Sequence, residues 1–317
     1  MKWFVVVGMV AALLIAGCKT MEKETLELSW DEQQAYLKKV QDPRVFGISI
    51  YSTPDGPKIR GGGRLHPERF EALEMQAEKP LRPLVEVKGN IGKGFPVLLD
   101  LTSRATWMEF GLAKELGARP VGEMQVAAVT MSENEVPAVL SVVSSLRLGQ
   151  MFVEYPLVNV RMAFGSLGSI NRGVSEGPVQ AVIGWDVLKK FDRIQFNYSS
   201  GQVMLRTTTE VYKPNPARLV VTHPLVKDGG VCAVVGLMNG EEGNILIDPA
   251  GDFELAADRS VSTIQIGEGL EIISPITTRS VDGTVRIGAR VLQAYQVTVC
   301  PKQGVIHFEM NQLKDEE

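Results

Sequence analysis

The chain of 317 residues predicts a mostly β protein made of two similar tandem lobes with a few short helices. Three observations predict it. Short β-branched runs separated by glycine turns recur along the sequence, as in Leu84-Val85-Glu86-Val87-Lys88 and Val126-Ala127-Ala128-Val129-Thr130, the pattern of half-buried strands. A hydrophobic content of 44% with 31 Gly and 17 Pro suits a turn-rich β protein with a substantial core. The third is a repeated passage in which a Gly/Asn turn feeds an apolar strand that ends on an aspartate. Its first copy runs from Gly89 to Asp100 and its second from Asn239 to Asp248. Repetition of this kind implies two copies of one structural unit.

Met1-Lys2-Trp3 and the apolar run from Phe4 to Ala16 have the length and charge of a signal peptide over residues 1–17, too short for a membrane span. The run closes on Leu14-Ile15-Ala16-Gly17-Cys18, which resembles the bacterial lipoprotein signal. That resemblance implies a lipidated Cys18 as the mature N-terminus. Lys19 rather than Asp follows it, so the implied destination is the outer membrane, facing the periplasm. Residues 18–79 read as a polar tether with short helices. Ser29 and Glu32 form a capping-box pattern opening a helix expected to pack loosely on the body. Phe46 to Tyr51 is strand-like, and Asp55-Gly56-Pro57 and Gly61-Gly62-Gly63 mark turns. A brief helix is expected within Pro67–Ala77.

The first lobe is expected over residues 80–210 and the second over 217–312. Between them Val211-Tyr212-Lys213-Pro214-Asn215-Pro216 interrupts both helix and ladder. The second lobe is the more compact, since the stretch from Asp248 to Gly288 is less than half that from Asp100 to Gly184.

What surrounds the first aspartate, Leu98-Leu99-Asp100-Leu101-Thr102-Ser103-Arg104-Ala105-Thr106-Trp107 followed by Ala113 to Gly117, resembles the active-site turn and following helix of retropepsin-like aspartic proteases. Leu146 to Gln150 with Val153 to Val158 resembles a later hairpin of that family. Ala181-Val182-Ile183-Gly184-Trp185-Asp186-Val187-Leu188, with Phe196 to Leu205, resembles its closing strand, helix and hairpin. The order returns in shorter form around Asp248, Ile264 to Gly267, Arg286 to Leu292 and Val297 to Phe308. The resemblance covers roughly residues 80–312 and implies two retropepsin-like β-barrel lobes related by a pseudo-twofold axis.

By this resemblance Asp100 and Asp248 form a catalytic dyad, with Ser103 and Thr102 as supporting residues. Met131, Ser132, Glu133 and Asn134 fall where the family carries its flap. The family's turn is Asp-Thr/Ser-Gly: the hydroxyl locks the two turns together and the glycine lets a backbone N–H approach the carboxylate. Here the second positions are Leu101 and Pro249 and the third are Thr102 and Ala250. The interlobe lock therefore cannot form in its usual way, while Ser103 is placed to hydrogen-bond Asp100. Two functions follow from the resemblance. One is a degenerate, non-hydrolytic groove binding extended peptide or protein; the other is an acid-favouring endopeptidase in which the dyad activates water. A third reading takes both aspartates as turn residues of a structural lipoprotein.

A net charge of −4 with interspersed signs points away from nucleic acid. His66, His223 and His307 form no metal-ligand spacing, and no cofactor is called for. Cys232 and Cys300 stand either as a disulfide or as two buried thiols. Asp186, Asp192, Asp252, Asp258 and Asp282 read as caps or solvated charges, and Trp107 and Trp185 as core residues.

Overall fold

A computed structural model describes residues 29–53, 56–76, 81–88, 94–128, 135–162, 167, 179–227, 230–280 and 282–311. The signal segment with Cys18 and the flap residues Met131, Ser132, Glu133 and Asn134 lie outside the described residues. The chain is mostly β, as its sequence predicts, with strands in curled sheets and four short α-helices among the described residues.

Two of the sheets repeat one another strand for strand. A seven-stranded sheet in the second half runs Leu270–Ile273, Thr263–Ile266, Ala233–Met238, Glu241–Asp248, Val285–Gly288, Leu255–Ala257, Thr277–Arg279. The central part of the ten-stranded sheet in the first half runs Met151–Glu154, Ser145–Leu148, Leu84–Lys88, Gly94–Leu99, Ala181–Ile183, Trp107–Glu109, Leu157–Arg161. Orientations match as well. In each sheet a late strand is inserted parallel to the aspartate strand and antiparallel to the strand that follows it, 181–183 in the first half and 285–288 in the second. Both aspartate strands are central in their sheets, which is why their apolar runs Val97-Leu98-Leu99 and Ile245-Leu246-Ile247 do not alternate: the first is sealed on both faces and the second nearly so. The first half adds the long hairpin Arg119–Ala128 with Glu135–Val142, which among the described residues has no counterpart in the second.

A six-stranded antiparallel sheet joins the halves. Its order is Leu219–Pro224, Val305–Met310, Tyr295–Cys300, Arg193–Asn197, Gln202–Thr207, Arg69–Glu74. At its centre each half contributes the first strand of its last hairpin, with Ile194 opposite Val299 and Phe196 opposite Val297. These residues, with Val203, Leu205, Ile306 and Phe308, belong to one buried core spanning both halves. Burial of this apolar face contributes roughly 25 cal/mol per Å2.

Two expectations for the N-terminal region are corrected. The helix expected within 67–77 is instead the strand Arg69–Glu74, paired along its whole length with Gln202–Thr207. A sheet edge offering six partners outweighs weak local helix propensity. The helix Trp30–Leu37 does open on the Ser29/Glu32 capping box, but it docks firmly. Tyr36 is buried, stacks edge-on with Phe110 at 5.1 Å and donates its hydroxyl to Ser141 Oγ at 2.8 Å. Gln33 Nε2 donates to Met162 O, and Lys114 pairs with Glu32. Among the described residues no helix is long and apolar enough to cross a membrane.

Candidate functional site

Asp100 and Asp248 close the equivalent strands 94–99 and 241–248 and occupy equivalent positions. The surrounding backbone bonds confirm the match. Trp185 N–H donates to Ser103 O at 2.7 Å, and Ala289 N–H donates to Gly251 O at 2.9 Å. Leu99 N–H donates to Pro83 O, and Ile247 N–H donates to Cys232 O. Gly184 and Gly288 serve the same end: a Cβ on the first would lie 2.4 Å from Ala105 O and on the second 2.2 Å from Phe253 O. Only glycine admits that approach.

Both carboxylates are buried, with exposures of 3% and 5%, and they act on one another. Burial, and after it the charge of Asp100, pushes the Asp248 carboxyl up to about 7. Burial also raises Asp100, opposed by hydrogen bonds from the Thr102 hydroxyl, the Thr102 N–H and the Ser103 N–H. Hydroxyl and N–H donors thus concentrate on Asp100, while among the described residues Asp248 is favoured as a carboxylate by the Arg286 charge and the N–H groups of Gly251 and Ala250. The environments of the two acids differ in the sense that separates a base from an acid.

The turns keep more of their support than the substitutions at their third positions suggest. Thr102 N–H reaches Asp100 Oδ1 at 2.7 Å, and neither Thr102 nor Ala250 has a positive φ, so a side chain fits where glycine was expected. Ser103 does hydrogen-bond the Asp100 carboxylate, through its backbone N–H. Its hydroxyl donates to Ala105 O at 2.8 Å, pinning the turn, and the hydroxyl on Asp100 Oδ1 is that of Thr102 at 2.8 Å. The reason is reach: Thr102 sits two residues from Asp100 and folds back onto it in an Asx-like turn.

Leu101 and Pro249 supply no hydroxyl, and the halves are tied here by other means. Cys232 N–H, from the second half, donates to Leu101 O at 2.9 Å. Ala250 packs in a buried cluster with Leu84, Leu98, Trp107 and Val182 of the first half. Cys232 and Cys300 are both buried and unbonded, so the two-thiol alternative holds. Trp107 is a core residue at 1% exposure.

Sequence reasoning passed over Arg286. Its guanidinium is buried, with Nη1 4.0 Å from Asp248 Oδ2, Nη2 2.6 Å from Asp282 Oδ2 and Nε donating to Thr284 Oγ1 at 2.9 Å. Asp282 is therefore a half-buried anchor that also caps the turn at Thr284, rather than a solvated charge. Burial raises its carboxyl, but bonds from Ser280, Thr284 and Arg286 outweigh that and hold it down at about 2. The signal was in the repeat: the strand Val285-Arg286-Ile287-Gly288 carries a charge where Ala181-Val182-Ile183-Gly184 carries Val182. Asp186 is likewise half-buried, accepting from the Thr106 hydroxyl and the Val187 N–H.

A cavity of about 510 Å3 opens beside the second aspartate strand, lined by Arg104 from the first half and by Val231, Met238, Leu246, Thr284 and Val285 among others from the second. Leu246 lies two residues before Asp248 and so faces the same side of the sheet. Among the described residues no group of three or more His, Cys, Asp or Glu is placed to hold a metal ion. No protein-family model matches the chain, and no curated protein matches it.

Proposed function

We propose that the chain is a two-lobed, retropepsin-like protein that holds an extended peptide or protein segment over Asp100 and Asp248 without cleaving it. By the same reading it is anchored through a lipidated Cys18 to the periplasmic face of the bacterial outer membrane. The observation that carries the proposal is the pair of buried aspartates at equivalent strand ends of two sheets with one strand order. A cavity lined by Arg104 of the first half and by residues of the second beside one of them supports a ligand site. Arg286 lowers both carboxyls, but burial of each, and at Asp248 the charge of Asp100, outweigh it, so the cation does not by itself set the protonation of the pair. The absent hydroxyls at Leu101 and Pro249 remove a constraint on the geometry that catalysis requires.

The second reading, an aspartic endopeptidase, is favoured by the retained N–H donors of Thr102 and Ala250 and by an Asp248 that keeps its proton up to about 7. In that case Asp100 takes a proton from the water whose oxygen bonds to the peptide carbonyl carbon. Asp248 hydrogen-bonds the carbonyl oxygen, and the C–N bond breaks as the amine gains a proton.

Incubating the full chain and its Asp100→Asn and Asp248→Asn variants with a peptide library from pH 3 to 8 tests both. The binding reading expects peptides retained in pull-downs and none cut. Cleavage that either substitution and a statine-type inhibitor abolish would overturn it in favour of the endopeptidase. Neither retention nor cleavage would overturn both.

A further inference from the structure

Arg104 follows the Asp100 turn by four residues, is exposed, and has no hydrogen-bond or ion-pair partner among the described residues. Its position is unusual because it lines two cavities at once. One is the cavity beside the second aspartate strand, whose lining also carries Asp258 and Arg259. The other, of about 650 Å3, lies over the first half, with apolar walls from Ile50, Ile59, Leu140 and Leu157 and with Lys189 and Lys190 on its rim. The carboxylates on that cavity are Asp186, already occupied by Thr106 and Val187, and Glu123. Lys190 Nζ donates to Gly62 O, which fixes the glycine segment 61–63 as one wall.

We infer that Arg104 is a specificity-determining residue that selects ligands carrying an acidic side chain, so that the site takes acidic extended peptides. The inference rests on the peptide-binding reading above and names its ligand class. Arg104 belongs to both linings, so a chain running from one cavity to the other passes its guanidinium. That planar group has no partner among the described residues, and its fork of donors matches a carboxylate in two parallel bonds. Lys189 and Lys190 add positive potential on the first-half side, and the apolar walls accept the neighbouring side chains. Neutral peptides leave the guanidinium in water, where it costs nothing; acidic ones gain a charge-assisted pair.

The test is fluorescence anisotropy with the full chain and labelled peptide pools matched in length, one containing Glu and Asp and the other Gln and Asn at the same positions. Wild type is expected to bind the acidic pool roughly tenfold more tightly at low salt, a margin that shrinks as salt screens the pair. Arg104→Ala should remove the preference and Arg104→Glu reverse it, both read as the ratio of acidic-pool to neutral-pool affinity. Because Arg104 is exposed and has no partner among the described residues, both variants are expected to fold, and their circular dichroism should match wild type. Equal binding of the two pools, or a preference that survives Arg104→Glu, overturns this inference and leaves the peptide reading standing. Binding of neither pool overturns the peptide reading and this inference with it.

Discussion

Replacing Arg286 by methionine is expected to lower the stability of the folded chain by about 2–4 kcal/mol at pH 7, measured by urea denaturation. Methionine keeps the length and apolar stem but removes the only described cation near Asp248 and the 2.6 Å partner of Asp282. Breaking a buried ion pair leaves its partner desolvated and uncompensated, which is why the loss exceeds that of an ordinary surface pair. It stays below the upper end for such deletions because Asp282 keeps donors from Ser280 and Thr284. The same change should raise the pKa of both Asp100 and Asp248, since the guanidinium lowers each. Wild-type stability in the variant would mean that desolvation of Arg286 already cancels its attraction, and the guanidinium could then not be what biases the pair.

Replacing Asp248 by asparagine is expected to have the opposite sign at high pH. Asp248 has a folded-state pKa of about 7 against an ordinary 3.8, so the folded chain binds its proton more tightly than the unfolded chain does. The stability tied to that proton is fully present below about pH 4 and is lost progressively as pH rises through 7. Asparagine carries no such titration. The variant should match wild type near pH 4 and exceed it by about 2–4 kcal/mol at pH 8, read from denaturation curves across that range. A variant less stable than wild type at pH 8 would mean that Asp248 is held by partners that favour its charge, contrary to its environment.

Much of the architecture was legible in the sequence, for a physical reason. Central strands buried on both faces read as unbroken apolar runs, and a charge terminating two such runs in matched contexts, at Asp100 and Asp248, is hard to mistake. The inserted strands 181–183 and 285–288 were equally visible, because a glycine closes each and nothing larger fits against the neighbouring turn. The strand at Arg69–Glu74 was not, since its pairing partner is more than a hundred residues away and its own pattern is weakly amphipathic.

At the site, the sequence located the aspartates but not the geometry of their turns. Glycine was expected to let a backbone N–H approach the carboxylate, yet Thr102 delivers its N–H at 2.7 Å with a side chain in place. Arg286 with Asp282, and Arg104 between two cavities, become visible only when strands distant in sequence are laid side by side. Fold and chemistry stay separate here: the paired aspartates are kept while Leu101 and Pro249 remove the hydroxyls that would lock their turns together.

The central claim is that Asp100 and Asp248, brought from two halves of the chain, form one electrostatically coupled site. Carboxyl 13C NMR of aspartate-labelled protein across pH 2–9 measures it most directly. The account predicts an Asp248 carboxyl titrating near 7 in wild type and at distinctly lower pH in Asp100→Asn, where the neighbouring charge is gone. An Asp248 titration that stays in place when Asp100 is neutralised would contradict it.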